Sequence, residues 1–218
     1  MKRIVIFSDS LGLPRESPEV TFVEDTYPQL LRSDYQVFQL SIGGGRIEDF
    51  LVQAHYYRQC KPDYVIIQSG IVDCGPRAFS WNEELFLKSN IIGRVIRRII
   101  AVTITTKKIR IFRKKSWTSK KQYTRCCTQL IDIFPEIPVF ALSILPADHE
   151  YEKKVPGIQS KIIEYNQILH SLFGDRMISL ENIPRDGVMS DGHHLNKIGH
   201  QYTYLQIIEK LKLCITNN

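Results

Sequence analysis

No apolar run in this 218-residue chain approaches the roughly 18 residues that a membrane-spanning helix needs. The N-terminus carries Lys2 and Arg3, but the apolar run behind them, Ile4 to Phe7, stops at Ser8 and Asp9. That is too short for the hydrophobic core of a secretory signal. Cysteine is scarce and odd in number: the five thiols at 60, 74, 126, 127 and 214 have no metal-like spacing. This argues against a disulfide framework or a cysteine metal site and points to reduced thiols and a cytoplasmic protein. Internal repeats and low-complexity linkers are absent too. Acid is missing from one stretch: between Arg94 and Arg125 lie 12 of the 29 Lys and Arg and no Asp or Glu, which leaves 17 basic against 23 acidic residues elsewhere. The net charge of +6 therefore belongs to one segment and not to the whole chain.

What is present has ordinary globular proportions, 43% apolar and 24% charged, in a length that buries one good core, so one domain spanning 1–218 is expected. Short apolar stretches at 3–7, 36–41, 64–68, 138–144 and 177–180 read as strands. Stretches with helical spacing lie between or after them, at 48–57, 122–134, 158–173 and 195–213. Strands alternating with helices predict right-handed crossovers and an α/β fold: a three-layer α/β/α sandwich around a parallel, five-stranded sheet. In such sheets reactive groups collect at the carboxyl ends of the strands. Ser10, the glycines 43–45 and residues 70–73 each follow an expected strand, so their loops should open on one rim. About seventy residues separate the third strand from the fourth, more than one crossover helix needs, which predicts a basic helical insertion around 79–121.

Two segments hold the parts of a nucleophilic relay. Phe7-Ser8-Asp9-Ser10 places a hydroxyl at a strand-to-loop corner, and Asp191-Gly192-His193-His194 places a carboxylate three residues before an imidazole. A serine becomes nucleophilic when a base takes its proton and a third group orients the base. The plain alternatives are that Ser10 is a turn or capping residue and that Asp191-Gly192 is a turn ahead of surface histidines. His193 and His194 compete for the role of base. His200 reads as structural and Cys74 as a small packing residue.

Three blocks, in order along the chain, resemble those of the SGNH (GDSL) hydrolases. Ser8-Asp9-Ser10-Leu11 is similar to their Gly-Asp-Ser-Leu block, with serine in the first place. Gln39-Leu40-Ser41-Ile42-Gly43-Gly44 resembles the second, whose glycine supplies an oxyanion N–H, here Gly44, with Asp49 five residues on. Asp191-Gly192-His193-His194-Leu195-Asn196 resembles the last, Asp-x-x-His, which selects His194 as base and Asp191 as its partner. The third block departs from the pattern, since Gly-x-Asn-Asp appears as Gly70-Ile71-Val72-Asp73 and valine has no donor for the oxyanion. Arg77 is a candidate substitute, or else it pairs with an acid such as Asp73. Ser10, Gly44, Asp73 and Arg77 are thus the candidate oxyanion and substrate-binding residues. The string 70–77 also resembles a subgroup associated with bacterial surface-polysaccharide synthesis, as does Glu24-Asp25-Thr26-Tyr27-Pro28.

The resemblance implies a serine esterase or O-acyltransferase that cleaves or transfers a small acyl group, such as acetyl, on a carbohydrate, with no metal or organic cofactor. Its alternative is a weakened or non-enzymatic relative serving as a docked component of polysaccharide assembly. The stretch from Arg94 to Arg125, with Ile91, Ile92, Val95, Ile96, Ile99 and Ile100 at helical spacing, suits an anionic membrane surface or an acidic glycan. That would place the protein at the inner face of the membrane. Nucleic acid is a poorer partner, for no recognised binding motif accompanies the charge.

Overall fold

The computed structural model describes residues 1–89, 112–113 and 115–216. Within them, β1 Arg3–Ser8, β2 Gln36–Ser41, β3 Tyr64–Gln68, β4 Val139–Leu142 and β5 Met177–Ile178 form one sheet, ordered β2-β1-β3-β4-β5. All pairings are parallel, with Ser8 beside both Ser41 and Gln68 at the carboxyl edge. The helices are α1 Tyr27–Leu30, α2 Ile47–Arg58, α3 Ile71–Cys74, α4 Trp81–Ser89, α5 Lys120–Ile133, α6 His149–Lys154, α7 Ile158–Phe173 and α8 Lys197–Thr216.

Residues Ile4 to Phe7 and Tyr64 to Ile67 are buried throughout. Neither run alternates with polar residues, because helices cover both faces of a parallel sheet. On one face α2 packs against α5 and α5 against α7. Phe7 points that way, its ring 6.3 Å from Phe50, 5.4 Å from Tyr57 and 6.3 Å from Phe134. On the other, α8 lies against α1. There Tyr27 N–H donates to His200 Nδ1 at 3.2 Å. Burial holds His200 down to about 4, so its ring is a neutral acceptor, the structural role its sequence position suggested. The architecture is the expected three-layer α/β/α sandwich.

Two strands end earlier than their composition suggests. The fourth covers Val139–Leu142 and not 138–144, because Ile144 N–H and C=O turn away to the Asn166 side chain at 2.8 and 3.0 Å. The fifth stops at Ile178 and not at 180, since Leu180 N–H is taken by Ser143 Oγ at 2.7 Å. Of the expected insertion at 79–121, residues 90–111 and 114, including the amphipathic stretch at 91–100, lie outside the described residues. Its two ends meet beside the sheet. Arg113 forms a two-pronged ion pair with Glu83, at 2.9 and 2.7 Å, and the Trp81 and Trp117 rings pack edge-on at 5.1 Å.

The sheet order reverses direction at β1, whose neighbours are β2 on one side and β3 on the other. Loops leaving β1 and β3 therefore part at their carboxyl ends, the position where a crevice is expected in an open parallel sheet. Gly70 shapes the β3 side of it. Its φ is +138°, and a Cβ there would sit 2.4 Å from Ile144 Cδ1 and 3.0 Å from the Tyr123 hydroxyl. Gly70→Ala is therefore expected to lower stability by about 2 kcal/mol or more, combining backbone strain with overpacking. Urea denaturation midpoints would measure this, and an unchanged midpoint would contradict the crowding.

Candidate active site

β1 runs straight into the first catalytic candidate. After Ser8 the chain leaves the sheet, Asp9 N–H still donating to Gln68 O at 3.1 Å, and Ser10 opens a single 3₁₀ turn, Ser10–Gly12. Asp9 caps that turn, its Oδ1 accepting Leu11 N–H at 2.9 Å. The Asp9 carboxyl is fully buried, and burial raises it to about 7, so it is a structural tie. Gly12 is required for close approach, as a Cβ would fall 2.0 Å from Ser8 Oγ, which itself meets Ser41 Oγ.

The other half comes from the loop ahead of α8. Residues Val188 and Leu195 bridge antiparallel, and Met189 N–H donates to His194 O at 2.8 Å. This closes a tight loop around Asp191-Gly192-His193, with Gly192 at φ +82°. Asn196 then caps α8, its Oδ1 accepting Ile198 and Gly199 N–H. Inside the loop, Asp191 Oδ1 accepts the backbone N–H of both His193 and His194 at 3.1 Å. Its Oδ2 meets His194 Nδ1 at 2.6 Å, and His194 Nε2 lies 3.0 Å from Ser10 Oγ. The structure thus brings Ser10, His194 and Asp191 into one hydrogen-bonded chain across 184 positions.

The electrostatics suit a resting base. Burial, with His193 beside it, pushes His194 down to about 4 against the opposing pull of Asp191. Burial works to raise Asp191, but its hydrogen bonds to His194 and His193 outweigh that and leave it below the usual carboxylate value. At neutral pH the pair is a neutral imidazole beside a carboxylate. Nδ1–H then donates to Asp191, and the Nε2 lone pair faces the Ser10 hydroxyl.

Two of the oxyanion candidates offer unused donors. Among the described residues, neither Ser10 N–H nor Gly44 N–H donates to a protein acceptor. Gly44 lies in the turn after β2, at φ +71°, beside a strand end fastened by Ile42 N–H to Ser8 O at 2.9 Å. Asp73 and Arg77 are engaged differently. Asp73 is wholly buried, and its oxygens accept Ile47 N–H at 3.2–3.3 Å, Ser69 Oγ at 3.0 Å and Thr118 Oγ1 at 2.6 Å. Its carboxylate fixes the start of α2 and the return of the insertion, a positioning role. Arg77 stacks over Trp117 at 4.1 Å, and its N–H donates to Lys115 O at 2.7 Å. Val72 is buried on α3, and its side chain offers no donor. Cys74 is buried and apolar in character, its thiol pushed up by burial.

Residues whose part was not legible in the sequence come from α6. Tyr151 stacks on His193 with centroids 4.6 Å apart at 12°, and a Cβ on Gly192 would touch Asp148 Oδ1 and Tyr151 Cβ at 2.9 Å. Asp148 followed by a short polar helix is a capping signal that announces α6. Nothing local announces its partner forty residues on. From the hairpin after β1, Glu19 accepts Ser190 N–H at 3.0 Å and steadies the same loop.

If His194 is the working base, the acid limb of kcat/KM falls well below the ordinary histidine value of about 6.5, toward about 4. The sign follows because activity requires the neutral ring and is lost only as pH drops through the lowered value. A pH–rate profile with its acid limb at or above 6.5 would contradict this environment.

No protein-family model matches the chain, and neither does any curated protein. Solved structures do. A lipase/acylhydrolase from Enterococcus faecalis matches at 16% identity and a TM-score of 0.66, covering 97% of this chain and 96% of that one. A GDSL-like lipase from Bacteroides thetaiotaomicron matches at 13% identity and 0.64, covering 98% and 89%. An acetyl xylan esterase matches at 17% identity and 0.60, covering 95% and 98%. The α/β fold described above is the one these lipases and esterases adopt.

Proposed function

We propose that this chain is a serine esterase of the SGNH (GDSL) kind, acting on a small acyl group such as acetyl carried by a carbohydrate. The observation that supports this reading is the unbroken contact chain from Ser10 Oγ through His194 to Asp191. Ser10 Oγ attacks the ester carbonyl carbon and its proton passes to His194 Nε2. The oxyanion is met by Ser10 N–H and Gly44 N–H. On collapse the C–O bond to the alcohol breaks, His194 returns its proton to the leaving oxygen, and the acyl group stays on Ser10. A water, deprotonated by His194, releases the acid and restores the serine. A sugar hydroxyl in place of that water makes the same residues an acyltransferase. Asp191 holds the tautomer and stabilises the transient imidazolium.

The carbohydrate substrate rests on the resemblance of residues 70–77 to the polysaccharide-linked subgroup and on the acetyl xylan esterase among the structural neighbours. The basic stretch between Arg94 and Arg125 would hold the enzyme at an anionic membrane surface or an acidic glycan. Among the described residues no helix is long and apolar enough to cross a membrane. A second reading, a non-catalytic component of polysaccharide assembly, is favoured by Val72 alone, because a missing oxyanion donor typically costs about 10²–10³ in rate.

Turnover of an aryl acetate and of acetylated sugars separates the two. The esterase reading expects hydrolysis by the wild-type protein, loss in Ser10→Ala, and a fall of about 10⁴ in kcat in Asp191→Asn, where the wrong histidine tautomer is favoured. Val72→Asn, which restores the donor type, is expected to raise kcat by about tenfold or more. It should also cost about 1–3 kcal/mol of stability where the amide lacks a partner at rest. If wild type and Val72→Asn both fold yet hydrolyse no faster than Ser10→Ala, the assembly reading stands in its place.

A further inference from the structure

The histidine that the relay leaves unused sits where a metal ion could take hold of the one it needs. His193 Nδ1 lies 3.4 Å from Asp191 Oδ1, and His194 Nδ1 lies 2.6 Å from Asp191 Oδ2. One ligand atom from each of the three residues falls within 4.8 Å of the others. We propose that Asp191, His193 and His194 form a binding site for a zinc-like divalent transition metal, and that its occupancy switches the relay off.

Zinc binds nitrogen at about 2.0–2.1 Å and carboxylate oxygen at about 2.0–2.2 Å, so the edge of its tetrahedron is about 3.4 Å. The His193–Asp191 gap already has that length, whereas the 2.6 Å His194–Asp191 contact must open by about 0.8 Å to admit the ion. The His193 ring is pre-oriented by its stack on Tyr151, and its side chain remains 28% exposed, so an ion can reach it from solvent. Arg15 and Lys154 oppose a cation nearby, whereas Glu19 at Ser190 N–H favours one. Affinity therefore comes from the three inner ligands. Two imidazoles and a carboxylate suit zinc, with water completing the tetrahedron.

The inhibitory consequence follows from proton placement. A neutral imidazole carries one N–H. In the working state that proton is on His194 Nδ1, donated to Asp191, and Nε2 is free to accept from Ser10. Coordination through Nδ1 moves the proton to Nε2, with none released and no change of oxidation state. Nε2 then presents an N–H to Ser10 Oγ and has no lone pair left to take the serine proton. The binding half of this proposal stands on geometry alone, while the inhibitory half rests on the esterase reading.

Binding is read without activity by titrating Co2+ into Ser10→Ala protein and following the visible absorption of tetrahedral cobalt, then displacing it with Zn2+. The expected result is a saturable band that survives in Ser10→Ala/His149→Gln, which alters an exposed histidine on α6. In Ser10→Ala/His193→Gln the affinity should fall by more than about tenfold. Circular dichroism checks that each variant folds. No band, or equal affinity in the His193 variant, overturns the site. In wild-type protein Zn2+ should abolish ester turnover and EDTA should restore it; turnover indifferent to bound Zn2+ overturns the inhibitory half. Absence of turnover before any metal is added counts against the esterase reading and leaves the cobalt result intact.

Discussion

Because every strand of the sheet runs the same way, every loop leaving a carboxyl end opens on one rim, and the rest of the structure is arranged around that constraint. β1 sits at the reversal in strand order, with β2 and β3 on its two sides, so the chain leaving it enters the space where the loops of its two neighbours part. Ser10 is the second residue past that strand. α8, packed on the opposite helical layer from α2, brings the preceding loop to the same place. The 3.0 Å contact between Ser10 and His194 is therefore a consequence of topology before it is a consequence of side-chain chemistry.

Around that contact the protein spends its buried polar groups on holding backbone. Asp9 caps the serine turn, Asp73 ties β3's loop to α2 and to Thr118, and Asp191 accepts two backbone N–H groups besides the imidazole. A base that depends on one lone pair pointing in one direction needs this kind of support, since a misplacement of about 1 Å is costly in rate. Asp9 and Asp73 are both lifted by burial, and each oxygen bound to backbone offsets part of that cost.

Sequence reading recovered what repeats locally and missed what pairs at a distance. The continuous apolar runs of β1 and β3 and the helical spacing of 158–173 were legible, although the stripe that this helix buries is Ile158, Ile162, Tyr165, Leu169 and Phe173, with Ile163 exposed. The three motif blocks were legible as residue types in order. The ends of β2 and β3 were legible too, but those of β4 and β5 were not, because Asn166 and Ser143 decide where these strands stop, and those side chains lie outside them. Asp73 is a candidate through its place in the Gly70-Ile71-Val72-Asp73 block, but two of its hydrogen-bond partners, Ile47 and Thr118, lie 26 and 45 positions away and carry no local signal. Arg77 likewise takes its place from Trp117, a residue with no local signal to connect the two.

The central claim is that the Ser10 hydroxyl is activated by His194. A fluorophosphonate reacts with an activated serine and not with an ordinary one, and peptide mass spectrometry locates the adduct. The account predicts a single adduct on Ser10 at neutral pH, absent from folded Ser10→Ala and strongly slowed in folded His194→Ala. Folded wild-type protein that stays unlabelled at Ser10, or labels equally fast without His194, would contradict it.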